Sequence, residues 1–223
     1  MTWSDALFSQ DVIVEKFLLF FILVTSICIH EWAHAFCADK LGDSLPRREG
    51  RVTLNPLVHI DLLGTIIIPL AMIFLSPGFA ILGCGKPVRV SLPNHETRSR
   101  DDILITLAGP FSNLCLAFFG VLGIGLLAQI LHLNDSLLRL VAIIVNLNCL
   151  LFLFNLIPIP PLDGSHILKR AIGMSDITFI KFSRFGFFLL LVIINIEYFT
   201  IFFNQTLTLL TSPFFDFFAL IIR

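Results

Sequence analysis

Two histidines that flank a glutamate have the clearest chemical potential in this sequence. The segment HEWAH, residues 30–34, fits the pattern His-Glu-x-x-His. On a helix, residues four apart lie on nearly the same face, so His30 and His34 can bind one Zn²⁺ while Glu31 acts on a water as general base. At about 1.5 Å per residue, His30 lies roughly 21 Å beyond Lys16 along such a helix. A hydrogen-bonded cluster of the three side chains within a helix bundle is the structural alternative.

A catalytic zinc site needs a third protein ligand, because the fourth position is left for water. Asp163 is the preferred candidate, since it follows a long apolar run in which prolines 158, 160 and 161 would unwind the chain and free a short carboxylate. Glu197, within a late apolar run, is the competing candidate. Cys37 lies about one turn past His34 and stays open as a further alternative.

The composition indicates where such a site would lie. Of 223 residues, 57% are hydrophobic and 14% are charged, with a mean hydropathy of +0.92. A chain with so few charged residues does not form the polar surface of a water-soluble protein, so the sequence indicates a membrane protein. Ionisable side chains inside a membrane are costly and therefore functional. The formal net charge of −1 excludes the basic face of a nucleic-acid-binding protein. Five cysteines without a C-x-x-C pair exclude a disulfide scaffold.

Long apolar runs divide the chain into candidate membrane helices. A spanning helix needs about 20 residues. Runs that approach or exceed this length start at residues 17, 103 and 137, and two later ones, 185–194 and 198–222, contain or adjoin polar interruptions. We therefore expect an all-α polytopic membrane protein with about five to six transmembrane helices. The first sixteen residues lack the basic start of a signal peptide, so we expect them to be retained.

The apolar run at 62–82 is too fragmented for a comfortable crossing. The sequence Ser76-Pro77-Gly78 divides it into pieces of fourteen and four residues. Basic residues, which collect in cytoplasmic loops, lie on both sides of it, at Lys40, Arg47, Arg48, Arg51, Lys86, Arg89, Arg98 and Arg100. We therefore expect a re-entrant or hairpin segment near residues 62–90, with a single tilted crossing as the alternative.

Three motifs follow one another along the apolar core: HEWAH, then AGPFSN at 108–113, then NLIPIPPLDG at 155–164. Together they resemble the site-2 protease family of intramembrane zinc metalloproteases, over about residues 17–170. The segments RVTLNPLVHIDLLGT and GKPVRV, at 51–65 and 85–90, resemble its compact branch without PDZ or CBS domains. The resemblance implies that one Zn²⁺ is bound by His30, His34 and Asp163. It also implies that Glu31 is the catalytic acid/base and that Asn155 lies near the scissile carbonyl.

The resemblance further implies a substrate class and a location. We expect single-pass transmembrane substrates in the lipid bilayer, and an active site toward the cytoplasmic side of the inner or plasma membrane. Residues 1–170 would form the metalloprotease core, and 171–223 would form C-terminal transmembrane helices of the same domain. A zinc or proton transporter would require inverted repeats, which the sequence lacks. An inactive relative that only binds transmembrane helices would not need Glu31.

Other polar positions have two interpretations each. The Gly109-Pro110 pair and Asn113 fit either helix packing or catalysis. Asn155 is able to cap the chain broken by the prolines or to donate to an oxyanion. His59 and Asp61 fit either a gate or an interfacial position, and the interfacial position is the interpretation that we favour.

Overall fold

All the regular secondary structure in the described part of the chain is helical. The structure is a computed structural model that describes residues 10–75, 83–131 and 133–223. In chain order, the helices are α1 Gln10–Lys40, α2 Leu45–Arg48, α3 Ile68–Leu75, α4 Arg98–Leu131, α5 Asp135–Asn155, α6 Gly164–Ala171, α7 Asp176–Ile194 and α8 Glu197–Ile221. No strand occurs within these ranges, so the predicted all-α fold is confirmed. The break at Ser76-Pro77-Gly78 and the first nine residues lie outside the described residues.

Four helices of the described part are long and apolar enough to cross a membrane: α1 from Val12 onward, α4, α5 and α7. In the most apolar stretch of each helix, only 28% is buried inside the protein for α1, α4 and α5, and only 11% for α7. Apolar side chains that the protein itself leaves uncovered require surrounding hydrocarbon. The chain is therefore an integral membrane protein.

The helices α4, α5 and α8 form the main packed layer. Their buried contacts form one cluster with the members Ala117, Val121, Ile124, Val141, Val145, Cys149 and Phe218. The close approach of α4 to α5 depends on Gly120, where a Cβ atom would come within 2.6 Å of Ile144 Cγ2. A second cluster joins α1 to α5 through Leu23, Ile27 and Leu147. The helices α1, α4 and α5 thus stand side by side, and their side chains can meet at one depth.

Contacts at the helix ends define the two ends of the molecule. Glu15, near the start of α1, forms an ion pair of 3.1 Å with Arg139, near the start of α5. At the other end of α1, Ala38 packs with Ile105 of α4. The helices α1 and α5 therefore run in one direction and α4 runs against them. We call the end where α1 stops and α4 begins the basic end, because the basic loops meet there, and the opposite end the distal end.

The described residues on the two sides of 76–82 meet toward the basic end. Asp61 caps the π-helical turns Leu62–Ile67 that precede α3, and its Oδ1 accepts from Gly64 N at 2.7 Å. On the other leg, Cys84 N donates to Gly64 O at 3.0 Å, and Cys84 O accepts from Thr65 Oγ1 at 2.7 Å. A single crossing would separate these residues by about 30 Å of hydrocarbon. The predicted hairpin near residues 62–90 is therefore confirmed.

The last long helix, α8, follows α4 toward the distal end. The ring of Phe217 stacks on that of Phe118 with centroids 5.5 Å apart, and Ile221 O accepts from Gln129 Nε2 at 2.5 Å. Both contacts pair later residues of α8 with later residues of α4. The two helices consequently run in the same direction.

The preceding helix, α7, starts at the basic end, where Asp176 binds Lys169 at 2.7 Å. Leu190 of α7 packs on the loop that follows α5, and Phe199 and Phe203 of α8 pack against the same cluster. The turn between α7 and α8 therefore lies near the end of α5, in the basic half of the molecule.

Candidate metal centre

Three donor atoms converge where α1 faces the loop after α5. His30 Nε2 lies 3.0 Å from His34 Nε2 and 3.1 Å from Asp163 Oδ2, and His34 Nε2 lies 3.4 Å from the same oxygen. Zinc bonds of about 2.0–2.2 Å in a tetrahedron separate neighbouring ligand atoms by roughly 3.3–3.6 Å. The three donors thus stand near the spacing that zinc requires. Among the described residues, no other group of three metal-binding side chains is as close.

The second ring nitrogen of each histidine has its own partner on α4. His30 Nδ1 lies 2.8 Å from Asn113 Oδ1, and His34 Nδ1 lies 2.7 Å from Ile105 O. A backbone carbonyl only accepts, so His34 Nδ1 carries the hydrogen and donates it. The lone pair of His34 Nε2 is then directed at the cluster, as is usual for histidines that bind metal.

Two further observations fit a cation between these donors. Asp163 Oδ2 is buried and has no hydrogen-bond partner, which is costly for a carboxylate without a positive charge beside it. Gly109 of α4 faces the same space, where a Cβ atom would lie 2.3 Å from His34 Nε2 and 2.6 Å from His30 Nε2. The residues therefore fit zinc, and we propose these two histidines and Asp163 as its ligands.

Asp163 reaches the histidines because α5 ends at Asn155 and the chain turns back. Prolines 158, 160 and 161 prevent the helix from continuing. Gly164 allows the turn to close, since a Cβ atom there would lie 2.3 Å from Leu156 O. The helix α6 starts at Gly164, and its Arg170 Nε donates to the buried Asp102 Oδ2 of α4 at 2.5 Å.

A cavity of about 570 Å³ opens beside the donors. All five site residues that were named from the sequence line it: His30, Glu31, His34, Asn155 and Asp163. Gly85 of the hairpin lies against Glu31, because a Cβ atom there would be 2.8 Å from Glu31 Oε1. Asn155 Nδ2 donates to Leu151 O at 2.9 Å. The structure thus brings the predicted site residues to one cavity.

The two alternative ligands lie elsewhere. Glu197 is exposed at the start of α8. Cys37 packs beside Ala38 and Ile105. Neither side chain belongs to the group of donor atoms that lie within 4.8 Å of one another.

The loop that enters the hairpin contains His59 and Asp61. His59 is fully buried, and its Nε2 donates to Thr53 O at 2.8 Å. Burial lowers the pKa of His59. Asp61 is exposed and lines the cavity while it caps the turns that follow. His59 is therefore a buried anchor of this loop, whereas Asp61 borders the site.

Buried charges hold both ends of the returning hairpin leg, residues 83–94. Arg51 donates to the carbonyl oxygens of Val58 and Lys86, and to Pro87 O at 3.1 Å. These bonds tie the entering loop to the returning leg. The leg therefore keeps a defined position along the cavity wall.

Asp43 holds the other end of the leg. Its carboxylate accepts from Ser91 N at 2.5 Å, Ser91 Oγ at 2.7 Å and Leu92 N at 3.1 Å. Burial alone would raise the pKa of Asp43, but these hydrogen bonds and one from Leu45 N outweigh burial and hold the pKa below its usual range. Between the two anchors, residues 88–90 have no backbone hydrogen bond to any other described residue.

Sequence reasoning missed three polar residues that support the centre: Asn148, Asp102 and Arg51. Asn148 is buried on α5 and bonds to Asn113 at 3.1 Å. Asn148 could have been found from the sequence, because a polar residue inside an apolar run is costly in the membrane and therefore indicates a function.

Comparison with known proteins identifies the family. The model of peptidase family M50 matches residues 123–194. A Bacillus subtilis protein named "Putative zinc metalloprotease YwhC" is 37% identical over 155 residues, which cover 67% of this chain and 67% of that protein. The chain belongs to peptidase family M50. The resemblance to site-2 proteases is thereby confirmed, and the chain is a zinc metalloprotease of this family with zinc as its cofactor.

Two relatives from mycobacteria are named "Putative zinc metalloprotease Rip2". The protein from Mycolicibacterium smegmatis is 34% identical over 146 residues, which cover 65% of this chain and 53% of the relative. The protein from Mycobacterium tuberculosis is 32% identical over 146 residues, or 66% of this chain and 54% of the relative. The matched region thus spans about half of each Rip2 protein. No solved structure matches this chain.

Proposed function

We propose that this chain hydrolyses peptide bonds in or near the transmembrane segments of single-pass membrane proteins, as in regulated intramembrane proteolysis. The observation that supports this most directly is the cluster of His30, His34 and Asp163, which shares one cavity with Glu31 among the packed apolar helices. Zinc bound by these residues supplies a Lewis acid that activates water and polarises the scissile carbonyl.

Glu31 is the proposed general base and acid. It follows His30 directly on α1 and is half-buried in the cavity wall. Its carboxylate can take a proton from the attacking water and return it to the leaving amine. Gly85 allows the hairpin leg to approach this carboxylate without a side chain between them.

Asn155 is the proposed donor to the oxyanion. An asparagine amide has two hydrogens, and the bond to Leu151 O uses one of them. The second hydrogen remains available, and the residue lines the cavity. A donor placed in this way stabilises the negative oxygen of a tetrahedral intermediate.

The hairpin leg offers a backbone against which an unwound substrate can pair. Val88 and Val90 line the cavity, and residues 88–90 have no backbone partner among the described residues. Exposing the carbonyls of a transmembrane helix in lipid costs several kcal/mol per unsatisfied group, and an added strand would offset part of that cost. We therefore expect substrates with Gly, Pro or Asn near the cytoplasmic third to be cut faster than Leu-replaced versions.

The basic end is the proposed cytoplasmic side, in a cell membrane. Lysines and arginines collect in cytoplasmic loops. The loops that contain them meet at this end, for example through the Arg89–Glu49 ion pair of 2.6 Å. The cavity lies toward the same end, because residues 27–34 in the second half of α1 and residues 150–155 at the end of α5 line it.

The experiment measures zinc content and cleavage together, on the purified chain with a single-span substrate. Glu31→Gln should keep about one zinc per chain and slow cleavage by roughly 10²–10⁴-fold, because only the proton transfer is removed. His34→Ala and Asp163→Ala should lose both zinc and cleavage. Glu15→Gln, on the same helix at the distal end, is the matched control and should change neither.

Three results would contradict the proposal. Full zinc content in Asp163→Ala would reject Asp163 as the third ligand. Undiminished cleavage in the presence of a zinc chelator would reject zinc-dependent proteolysis. Equal cleavage of the helix-breaking and Leu-replaced substrates would reject selection by helix instability.

A further inference from the structure

Two buried asparagines connect His30 to α5. Asn113 of α4 and Asn148 of α5 are 0% and 1% exposed. Asn148 Nδ2 donates to Ile144 O at 3.0 Å. Asn113 Nδ2 donates to Asn148 Oδ1 at 3.1 Å, and Asn113 Oδ1 lies 2.8 Å from His30 Nδ1. These contacts form a continuous chain from a backbone carbonyl to the imidazole.

The carbonyl of Ile144 sets the direction of the whole chain. A carbonyl only accepts, so the amide of Asn148 must turn its NH₂ group toward it and its oxygen toward Asn113. Asn113 must then give its NH₂ hydrogen to Asn148 and present its oxygen to His30. An oxygen acceptor requires the hydrogen of His30 to be on Nδ1. This leaves the lone pair of His30 Nε2 for the donor cluster.

We propose that Asn148, which is not itself a proposed ligand, is a positioning residue that holds His30 in its metal-binding tautomer through Asn113. Without Asn148, the amide of Asn113 is able to rotate and turn its NH₂ group toward His30 Nδ1. The imidazole hydrogen then moves from Nδ1 to Nε2. The Nε2 atom that faces the cluster then has no free lone pair with which to bind the metal. The inference rests on the proposed ligation of zinc by His30.

The second histidine provides an internal contrast. His34 Nδ1 donates to the backbone oxygen of Ile105 at 2.7 Å. A backbone carbonyl cannot rotate into a donor, so the tautomer of His34 does not depend on any neighbouring side chain. The relay therefore acts on His30 and leaves His34 unchanged.

The test measures zinc affinity of the full chain by chelator competition, with the visible absorption of the Co²⁺-substituted protein as a second readout. Asn148→Leu should weaken zinc binding by about 10–100-fold, the range for outer-shell partners of metal ligands. Asn146→Leu is the matched control, because its exposed amide on the same helix donates to Ala142 O of its own turn. Asn146→Leu should bind zinc as the wild type does.

A rescue variant separates control of the tautomer from packing. A carboxylate has only acceptor oxygens, so Asn113→Asp cannot turn a donor toward His30. In the Asn148→Leu background, Asn113→Asp should therefore restore zinc affinity to that of Asn113→Asp alone. If Asn148→Leu does not fold, Asn148→Ser takes its place with the same expectation, because serine shortens the side chain without adding an apolar group.

Two outcomes overturn the proposal. One is wild-type zinc affinity in the folded Asn148 variant. The other is a loss of affinity that Asn113→Asp does not restore in a folded protein, since that loss would reflect packing. Wild-type zinc affinity in His30→Ala would instead overturn the proposed ligand set, and this failure is distinguishable because it does not involve the asparagines.

Discussion

Gly109 decides how closely α4 approaches the two histidines. A glycine inside a helix costs about 1 kcal/mol relative to alanine, so the helix alone does not favour it. A Cβ atom here would lie 2.3 Å from His34 Nε2 and 2.6 Å from His30 Nε2. The absence of this one atom leaves the space in which the donors converge.

Gly109→Ala should lose zinc while α4 stays folded, because the added methyl group occupies the space between the imidazoles. The measurement is zinc per chain after purification, with circular dichroism as the check on helix content. Gly123→Ala is the matched control on the same helix, where nothing lies within 4 Å of the added Cβ atom. The control should keep about one zinc, and equal zinc content in both variants would contradict the role of Gly109.

Among the elements, α4 supports all three proposed ligands although it supplies none of them. Asn113 and the carbonyl of Ile105 bind the two histidines of α1. Asp102 binds Arg170 of α6, the helix that begins directly after Asp163. One helix therefore sets the position of α1 relative to the loop that follows α5.

Removing one side of the Asp102–Arg170 pair should loosen the Asp163 loop. The side chains are 4% and 16% exposed, and breaking a buried ion pair costs about 3–5 kcal/mol, because one charge is left without a partner. Asp102→Ala should therefore lower the melting temperature and weaken zinc binding. The double variant Asp102→Ala/Arg170→Ala should be less damaged, since no charge is left unpaired.

The ion pair of Arg47 with Asp39 is the control for this prediction, because the Arg47 side chain is 66% exposed. Exposed ion pairs contribute little to stability, so Arg47→Ala should leave the melting temperature and zinc affinity nearly unchanged. A double variant that is less stable than Asp102→Ala alone would contradict a buried-charge origin of the effect.

The returning leg of the hairpin should loosen in acid. Hydrogen bonds hold the pKa of Asp43 below its ordinary value. The stabilisation that this provides is therefore full above the unfolded pKa of about 3.9 and is lost as the pH falls through the lower folded pKa. Hydrogen exchange at Ser91 and Leu92, corrected for intrinsic rates, should accelerate in that range. In Asp43→Asn, the amides of Ser91 and Leu92 should exchange faster already at neutral pH. Protection of these amides in the wild type that does not change with pH would contradict the prediction.

For the whole molecule, the direction of α8 decides the face of the membrane on which Arg223 lies. Ile221 O accepts from Gln129 Nε2 at 2.5 Å, so α8 ends beside the end of α4. The turn before α8 lies near the end of α5, since Leu190 and Phe199 pack on the loop there. The helix α7, although apolar, therefore does not take the chain to the distal end.

We accordingly expect Arg223 on the same membrane face as Asp135, opposite to Arg48. Single cysteines at these three positions, in a background without native cysteines, would be labelled with an impermeant thiol reagent in sealed vesicles. Positions 223 and 135 should react from one side and position 48 from the other. Reaction of position 223 from the side of position 48 would show that α7 crosses the membrane.

The sequence by itself determined the chemistry and the setting of this protein. Histidines four residues apart meet on one helix face by local geometry, and the length of an apolar run decides whether a helix can span hydrocarbon. The prolines before Asp163 predicted a broken helix for the same local reason. Such features depend on a few neighbouring residues, so no fold is needed to find them.

The sequence preferred Asp163 without excluding Glu197, and the tertiary structure places Asp163 rather than Glu197 beside the histidines. The tertiary structure also decided that Asn113 and Asn148 form a relay, and that α8 rather than α7 follows α4 to the distal end. Each of these depends on contacts between residues that are far apart in the chain. Periodicity and spacing along the sequence do not predict such contacts, because the contacts form only when helices pack at a defined depth and direction.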